Sequence, residues 1–212
     1  MSLTTEQMNA NKERFLSLCR ENIHREGLED LLAWLLKSDF FYAPASTRFH
    51  GDYEGGLCEH SLDVYTYAMR LLPLCEEKPL LAWEKREITH EVMLESITIA
   101  ALFHDLCKVN FYAQDFKNQK INGQWQQVPY YTVREKFAYG GHGSKSVFLI
   151  ERFLRLTEDE AVAINCHMGF APGGDSVRQT GSAYEVCPLA WLIHAADEAA
   201  TYLLDRSGNN EE

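Results

Sequence analysis

The sequence has no long apolar run, no C-x-x-C pair and no excess of positive charge, and each absence removes a class of protein. No stretch approaches the roughly 18–20 apolar residues needed to span a bilayer, and residues 1–12 are polar with no leader pattern. A cytoplasmic protein without a membrane partner is the expectation. The six cysteines (Cys19, Cys58, Cys75, Cys107, Cys166, Cys187) are scattered through apolar or helical stretches. They read as reduced thiols, not as a disulfide framework or a zinc cluster. The net charge of −11 disfavours binding to long nucleic acids. Internal repeats, low-complexity tracts and a convincing linker are also missing, as is any base- or sugar-reading motif.

What is present suits one helical domain. A chain of 212 residues that is 46% hydrophobic and 12% aromatic can fill a core and is not disordered. Helical patterning covers residues 6–23, 28–36, 57–72, 90–108 and 143–156. Pro73 is expected to stop the third of these. Thr157 and Glu160 form a capping-box pattern that opens a further helix ending near Gly169. Pro188 suits the first turn of a last helix reaching about residue 204. Residues 38–56 and 171–184 read as loops, and Asn122-Gly123 as the turn of a small β-hairpin within 117–128. The tail, residues 207–212, is expected to be disordered. The expected organisation is a single domain over residues 1–206, with helices in 1–40 as an extension and a ligand-bearing core over 57–204.

The chemistry-bearing residues lie on separate helices. His104-Asp105 ends the apolar run 96–103, two strong metal ligands where a buried helix stops. His60 precedes the pair, and His142, His167 and Asp197 follow it. A lone histidine on an apolar face is usually a core residue bonded to a backbone carbonyl. Asp197 is harder to explain in that way, because it sits among Ala195, Ala196, Ala199 and Ala200, and a buried carboxylate needs a cation or several donors. A divalent cation would satisfy all six residues at once, provided the helices pack around a common centre.

The order of these residues resembles the H…HD…D pattern of the HD superfamily of metal-dependent phosphohydrolases. Gly55-Gly56-Leu57-Cys58-Glu59-His60 is similar to the G-G-L-x-x-H segment before the first ligand. Leu102-Phe103-His104-Asp105-Leu106-Cys107-Lys108 is similar to L-x-H-D-x-x-K. Residues 41–60 and Tyr131-Thr132-Val133-Arg134 also resemble the HD domain of bacterial 3′→5′ exoribonucleases. Two departures stand out. The family often has glycine where this chain has Cys107, which points to different packing under the site. And residues 1–40 read as helix, not as the nucleic-acid-binding module that precedes the HD domain in the exoribonucleases.

The resemblance implies an all-α HD helical bundle with a hairpin insertion. It implies that His60, His104, Asp105 and Asp197 hold one ion, while His142 and His167 hold a second, with Asp105 bridging. A single ion with His142 and His167 facing the substrate is the other arrangement. Four imidazoles and two carboxylates suit Mn, Fe, Co, Ni or Zn better than Mg. The implied reaction is hydrolysis of a phosphomonoester or phosphodiester, of a small nucleotide in preference to a polymer. The alternatives are a nucleotide-binding regulatory module, an exoribonuclease-like nuclease, or a partner-binding bundle with a vestigial cluster.

Asp105, Lys108 and His142 are the catalytic candidates, and Lys145, Arg48 and His50 the candidates for substrate contact. Lys108 either places a cation near a phosphate or interacts with a helix C-terminus. Lys145 lies in a first helical turn, an unusual place for a cation unless an anion is near. Both belong to a basic stretch with Lys117, Lys120, Arg134 and Lys136, which reads either as a solvated loop or as an anion-attracting rim. Tyr53, Phe111, Tyr112, Trp125, Tyr130, Tyr131 and Tyr139 serve either loop packing or stacking on a base. His194, one turn from Asp197, is expected to support the ligands and not to join them.

Overall fold

The computed structural model describes residues 3–48, 50–76, 88–134, 140–170 and 174–204. Among these, eight α-helices and one two-stranded sheet form the expected all-α architecture with a hairpin. The helices are α1 (Thr5–Asn22), α2 (Leu28–Lys37), α3 (Gly56–Glu76), α4 (His90–Phe103), α5 (His142–Glu151), α6 (Glu158–Cys166), α7 (Gly174–Val186) and α8 (Pro188–Ala199). No helix among the described residues is long and apolar enough to cross a membrane. All six cysteines are free and buried.

Helix α4 is the centre of the fold. Every residue from Ile97 to Phe103 is buried, so this segment is apolar on all sides and not amphipathic. Helices α3, α1, α6 and α8 pack around it, and α3 lies along α8. The rings of Phe15 and Phe103 lie 5.8 Å apart, and Phe15 also meets Phe40 and Phe41, so α1 shares the core of the ligand-bearing helices. The Thr157–Glu160 capping box is present at the start of α6, and Pro188 sits in the first turn of α8. Past Ala199 the chain winds on as a π-helical segment, Ala200–Leu204.

Several expectations change: α4 stops at Phe103 and α5 at Glu151, short of the expected 108 and 156. Helix α3 does not stop at Pro73 but runs to Glu76. Pro73 is exposed, while Leu72 and Cys75 on either side of it are buried and hold the helix on course. Residues 174–184 of the expected loop instead lie in α7, Gly174–Val186. Gly181 and the small polar residues argue against a helix on propensity, but Thr180 and Ala183 are buried and Tyr184 packs on the His194 ring, so tertiary contact decides. The hairpin is longer than expected: strands β1 (Tyr112–Ile121) and β2 (Gln124–Val133) pair antiparallel in register from Tyr112–Val133 to Ile121–Gln124. Asn122 and Gly123 both have positive φ, as the tight turn requires. Residues 171–173 of the expected loop and the expected disordered tail lie outside the described residues.

Candidate metal centre

Each expected ligand is placed by a helix end or a helix face. His60 lies in the second turn of α3, and Asp197 on α8 beside it. His104 follows the last residue of α4, and His167 the last residue of α6. These two imidazoles are held in the same manner. His104 Nδ1 is 2.8 Å from the Ala101 carbonyl oxygen, and His167 Nδ1 is 2.7 Å from that of Ile164. A carbonyl only accepts, so each Nδ1 carries the proton and each Nε2 presents a lone pair. The carbonyl-bonded core histidine and the ligand are here one residue, with one nitrogen in each role.

Both Nε2 atoms face Asp105, whose carboxylate looks two ways. Its Oδ2 lies 3.3 Å from His104 Nε2, 3.8 Å from His60 Nε2 and 2.5 Å from Lys108 Nζ. Its Oδ1 lies 3.6 Å from His167 Nε2 and 3.8 Å from Cys107 Sγ. On the Oδ2 side, His60 Nε2 is 3.0 Å from Asp197 Oδ1 and 3.3 Å from His104 Nε2. On the Oδ1 side, His142 Nδ1 is 3.5 Å from Cys107 Sγ. Three sets of ligand atoms converge closely enough to hold an ion: His60, His104 and Asp197; His104, Asp105 and His167; and Asp105, Cys107 and His142. All six expected ligands therefore fall in these sets. His167 shares a set with His104 and Asp105, and no set contains both His142 and His167.

The electrostatics leave room for a cation. Burial works against ionising Asp105, but Lys108 and His104 outweigh it and hold the carboxyl well below its usual range. Burial opposes ionisation of Asp197 too, and its bond to His60 outweighs it in the same direction. Burial likewise disfavours the Lys108 ammonium and the His104 imidazolium, and for each the Asp105 charge prevails and raises the pKa. His142 is lowered, chiefly by burial. Burial pushes the Cys107 thiol up to about 12, with Asp105 adding to it. Two ionised carboxylates thus face imidazole nitrogens within a largely buried cluster. His167 Nε2 is fully buried and has no hydrogen-bond partner among the described residues. A lone pair aimed at a carboxylate is repulsive unless a proton or a cation lies between, and this donor set suits a divalent ion.

The other candidates divide. Lys108 is buried, and its Nζ pairs with Asp105 Oδ2. Lys145 is buried with Nζ 5.1 Å over the Phe111 ring. Arg48 is exposed and makes no polar contact with the cluster among the described residues. Of the basic stretch, Lys117 and Lys120 lie on the exposed hairpin and Lys136 falls outside the described residues. Among the aromatics, Tyr112 donates to the Ala45 carbonyl and Tyr53 to Glu59, while Trp125 is 72% exposed. Tyr139 lies outside the described residues.

His50 lies beside the cluster. Its ring lies 4.7 Å from that of His60, its Nε2 is 3.5 Å from Thr201 Oγ1, and its buried Nδ1 has no partner among the described residues. Burial lowers its pKa to about 4, so the ring is neutral at pH 7. Its only sequence signal was its place in the loop before His60.

His194 supports the site through the backbone: its Nδ1–H donates to the His167 carbonyl at 2.8 Å. Gly169, with φ of 70°, makes this possible, because a Cβ there would lie 2.4 Å from the His194 ring. Gly169→Ala adds backbone strain and displaces His194. A loss of about 2 kcal/mol is expected, read as a fall of about 6 °C in Tm, with weaker metal binding by titration.

A largely helical domain thus gathers imidazoles and carboxylates at one centre, in groups that could hold a metal ion. The HD domain family matches residues 57–202, a span that includes all six expected ligands, and the chain belongs to that family of metal-dependent phosphohydrolases. No curated protein matches the chain, and no solved structure does.

Proposed function

We propose that the protein hydrolyses a small phosphate ester, a nucleotide monoester or diester, with divalent ions held by His60, His104, Asp105, His142, His167 and Asp197. One observation carries this reading. The two oxygens of Asp105 face separate groups of donors, which is the arrangement of a carboxylate shared between two cation positions. Imidazole-rich positions favour Mn, Fe, Co, Ni or Zn over Mg, whether one ion binds or two. Such ions supply a water of lowered pKa and offset charge on phosphoryl oxygens.

The chain's own residues do the rest. His104 and His167 are pre-oriented by their carbonyl bonds, so little is lost in ordering them when a ligand arrives. Lys108 keeps a positive charge against Asp105 Oδ2 and is the cation nearest the centre. Lys145, in the first turn of α5, adds a second buried positive charge suited to a phosphate. His50, neutral beside His60, offers a hydrogen bond to substrate. The net charge of −11 and the helical N-terminal segment support a small substrate over long RNA. We read residues 1–206 as one HD-type domain, and the six free thiols support a reducing, cytoplasmic setting.

The test is an assay with Mn²⁺ on bis-p-nitrophenyl phosphate, the monoester and a nucleotide panel. Turnover with released product is the expected result. Tight nucleotide binding with no product from any substrate would make the protein a sensor.

A further inference from the structure

We infer that Cys107 is a thiolate ligand of the second cation position, which then has the donor set Asp105, Cys107 and His142. This rests on the metal-dependent reading above and adds a donor at a position where the HD pattern often has glycine. The geometry is specific. Cys107 Sγ lies 3.8 Å from Asp105 Oδ1, the oxygen that also faces His167 Nε2 at 3.6 Å. The same sulfur lies 3.5 Å from His142 Nδ1, and ligand atoms of Asp105, Cys107 and His142 are all within 4.8 Å of one another. His167 Nε2, fully buried and without a hydrogen-bond partner among the described residues, approaches the same oxygen of Asp105 from the His104 side of the cluster.

The backbone keeps this arrangement together. Cys107 lies in a single 3₁₀ turn, Leu106–Lys108, directly after the His104-Asp105 pair. Its amide donates to Ser146 Oγ at 3.0 Å, and Ser146 belongs to α5, the helix that begins with His142. One hydrogen bond thus ties the turn that carries the thiol to the helix that carries the imidazole. Gly143 permits the next contact: a Cβ there would lie 2.5 Å from Asn165 of α6, so α5 approaches the helix that presents His167. On coordination the thiol gives its proton to solvent and the sulfur lone pair forms the bond to the ion, with no change of oxidation state. A thiolate makes this position softer than its neighbour and favours Zn or Co over Mn or Mg there.

The test uses the full chain, reduced and freed of metal, titrated anaerobically with Co²⁺. Thiolate-to-cobalt charge transfer absorbs strongly in the near ultraviolet, whereas imidazole and carboxylate ligation does not. Wild type is expected to develop this band. Cys107→Ser and Cys107→Gly are expected to lose it while still binding cobalt through His60, His104 and Asp197. The wild-type spectrum tests the inference without a variant, so misfolding of either one leaves the test intact. Cobalt bound with no band in wild type overturns the inference, as does a band that survives Cys107→Ser. Failure of wild type to bind any cobalt overturns the metal-dependent reading as well.

Discussion

Asp105→Asn loses bound divalent metal and phosphoester turnover while keeping its fold. The amide matches the shape of the carboxylate. Its oxygen can still accept from Lys108, and its NH₂ can donate to the otherwise unpartnered His167 Nε2. What disappears is the negative charge that His104 Nε2 and His167 Nε2 face from its two oxygens. Removing a shared anionic ligand costs about 4 kcal/mol or more of transition-state stabilisation, a fall of about 10³-fold in kcat/KM. Metal analysis after gel filtration, circular dichroism and the Mn²⁺ assay check the three parts together. A folded variant with full metal content would mean that the site is wrongly drawn.

The second large effect concerns stability away from the centre. Arg25 forks onto Glu160 at 2.6 and 2.7 Å and reaches Glu95 at 3.1 Å. Glu160 also accepts from Ser96 Oγ and from the Thr157 amide, and its side chain is fully buried. This network joins the segment before α2 to α4 and α6. Glu160→Ala removes the bidentate partner of a partly buried guanidinium and leaves it, among the described residues, only Glu95 and the Arg155 carbonyl, and is expected to cost about 3 kcal/mol, lowering Tm by about 6–12 °C. Burial opposes ionisation of Glu160, but Arg25 outweighs it, so its pKa lies below the ordinary carboxylate value. A lowered folded-state pKa contributes stability that is complete above the unfolded value of about 4.3 and is lost as pH falls through the folded one. The gap in Tm between wild type and Glu160→Ala is therefore expected to be widest near pH 7 and to close below pH 4. A gap that stays constant to pH 3 would show that the ion pair does not stabilise the fold.

The fold was legible wherever local chemistry and tertiary packing agree. Thr157 and Glu160 marked the start of α6, Pro188 that of α8, and Asn122-Gly123 the hairpin turn. It was not legible where packing overrides propensity. Helix α7 holds Gly181, and its helicity comes from Thr180, Ala183 and Tyr184 meeting neighbours that no local pattern announces. Pro73 misled in the same way, because the buried residues around it carry α3 onward.

For the site, the convergence of the six residues was legible because so many imidazoles and carboxylates in apolar helices suggested a common centre. Their grouping was not. That Oδ1 and Oδ2 of Asp105 face different partners depends on the turn after α4, and Lys108 meets Asp105 because that turn is 3₁₀. Cys107 stood out in the sequence only as a substitute for glycine. Its approach to His142 arises from the Ser146 contact between two segments far apart in the chain. His50 and Glu160 were undervalued for the same reason, since their partners come from Thr201 and Arg25.

The central claim is that Asp105 joins two groups of donors around bound cations. Anomalous diffraction at the cobalt or manganese edge, from crystals grown with that metal, tests it most directly. Anomalous density is expected between Asp105 Oδ2 and the His60, His104 and Asp197 side chains, with further density on the Oδ1 side toward Cys107 and His142. Metal bound elsewhere on the protein, with no anomalous density in reach of Asp105, would contradict it.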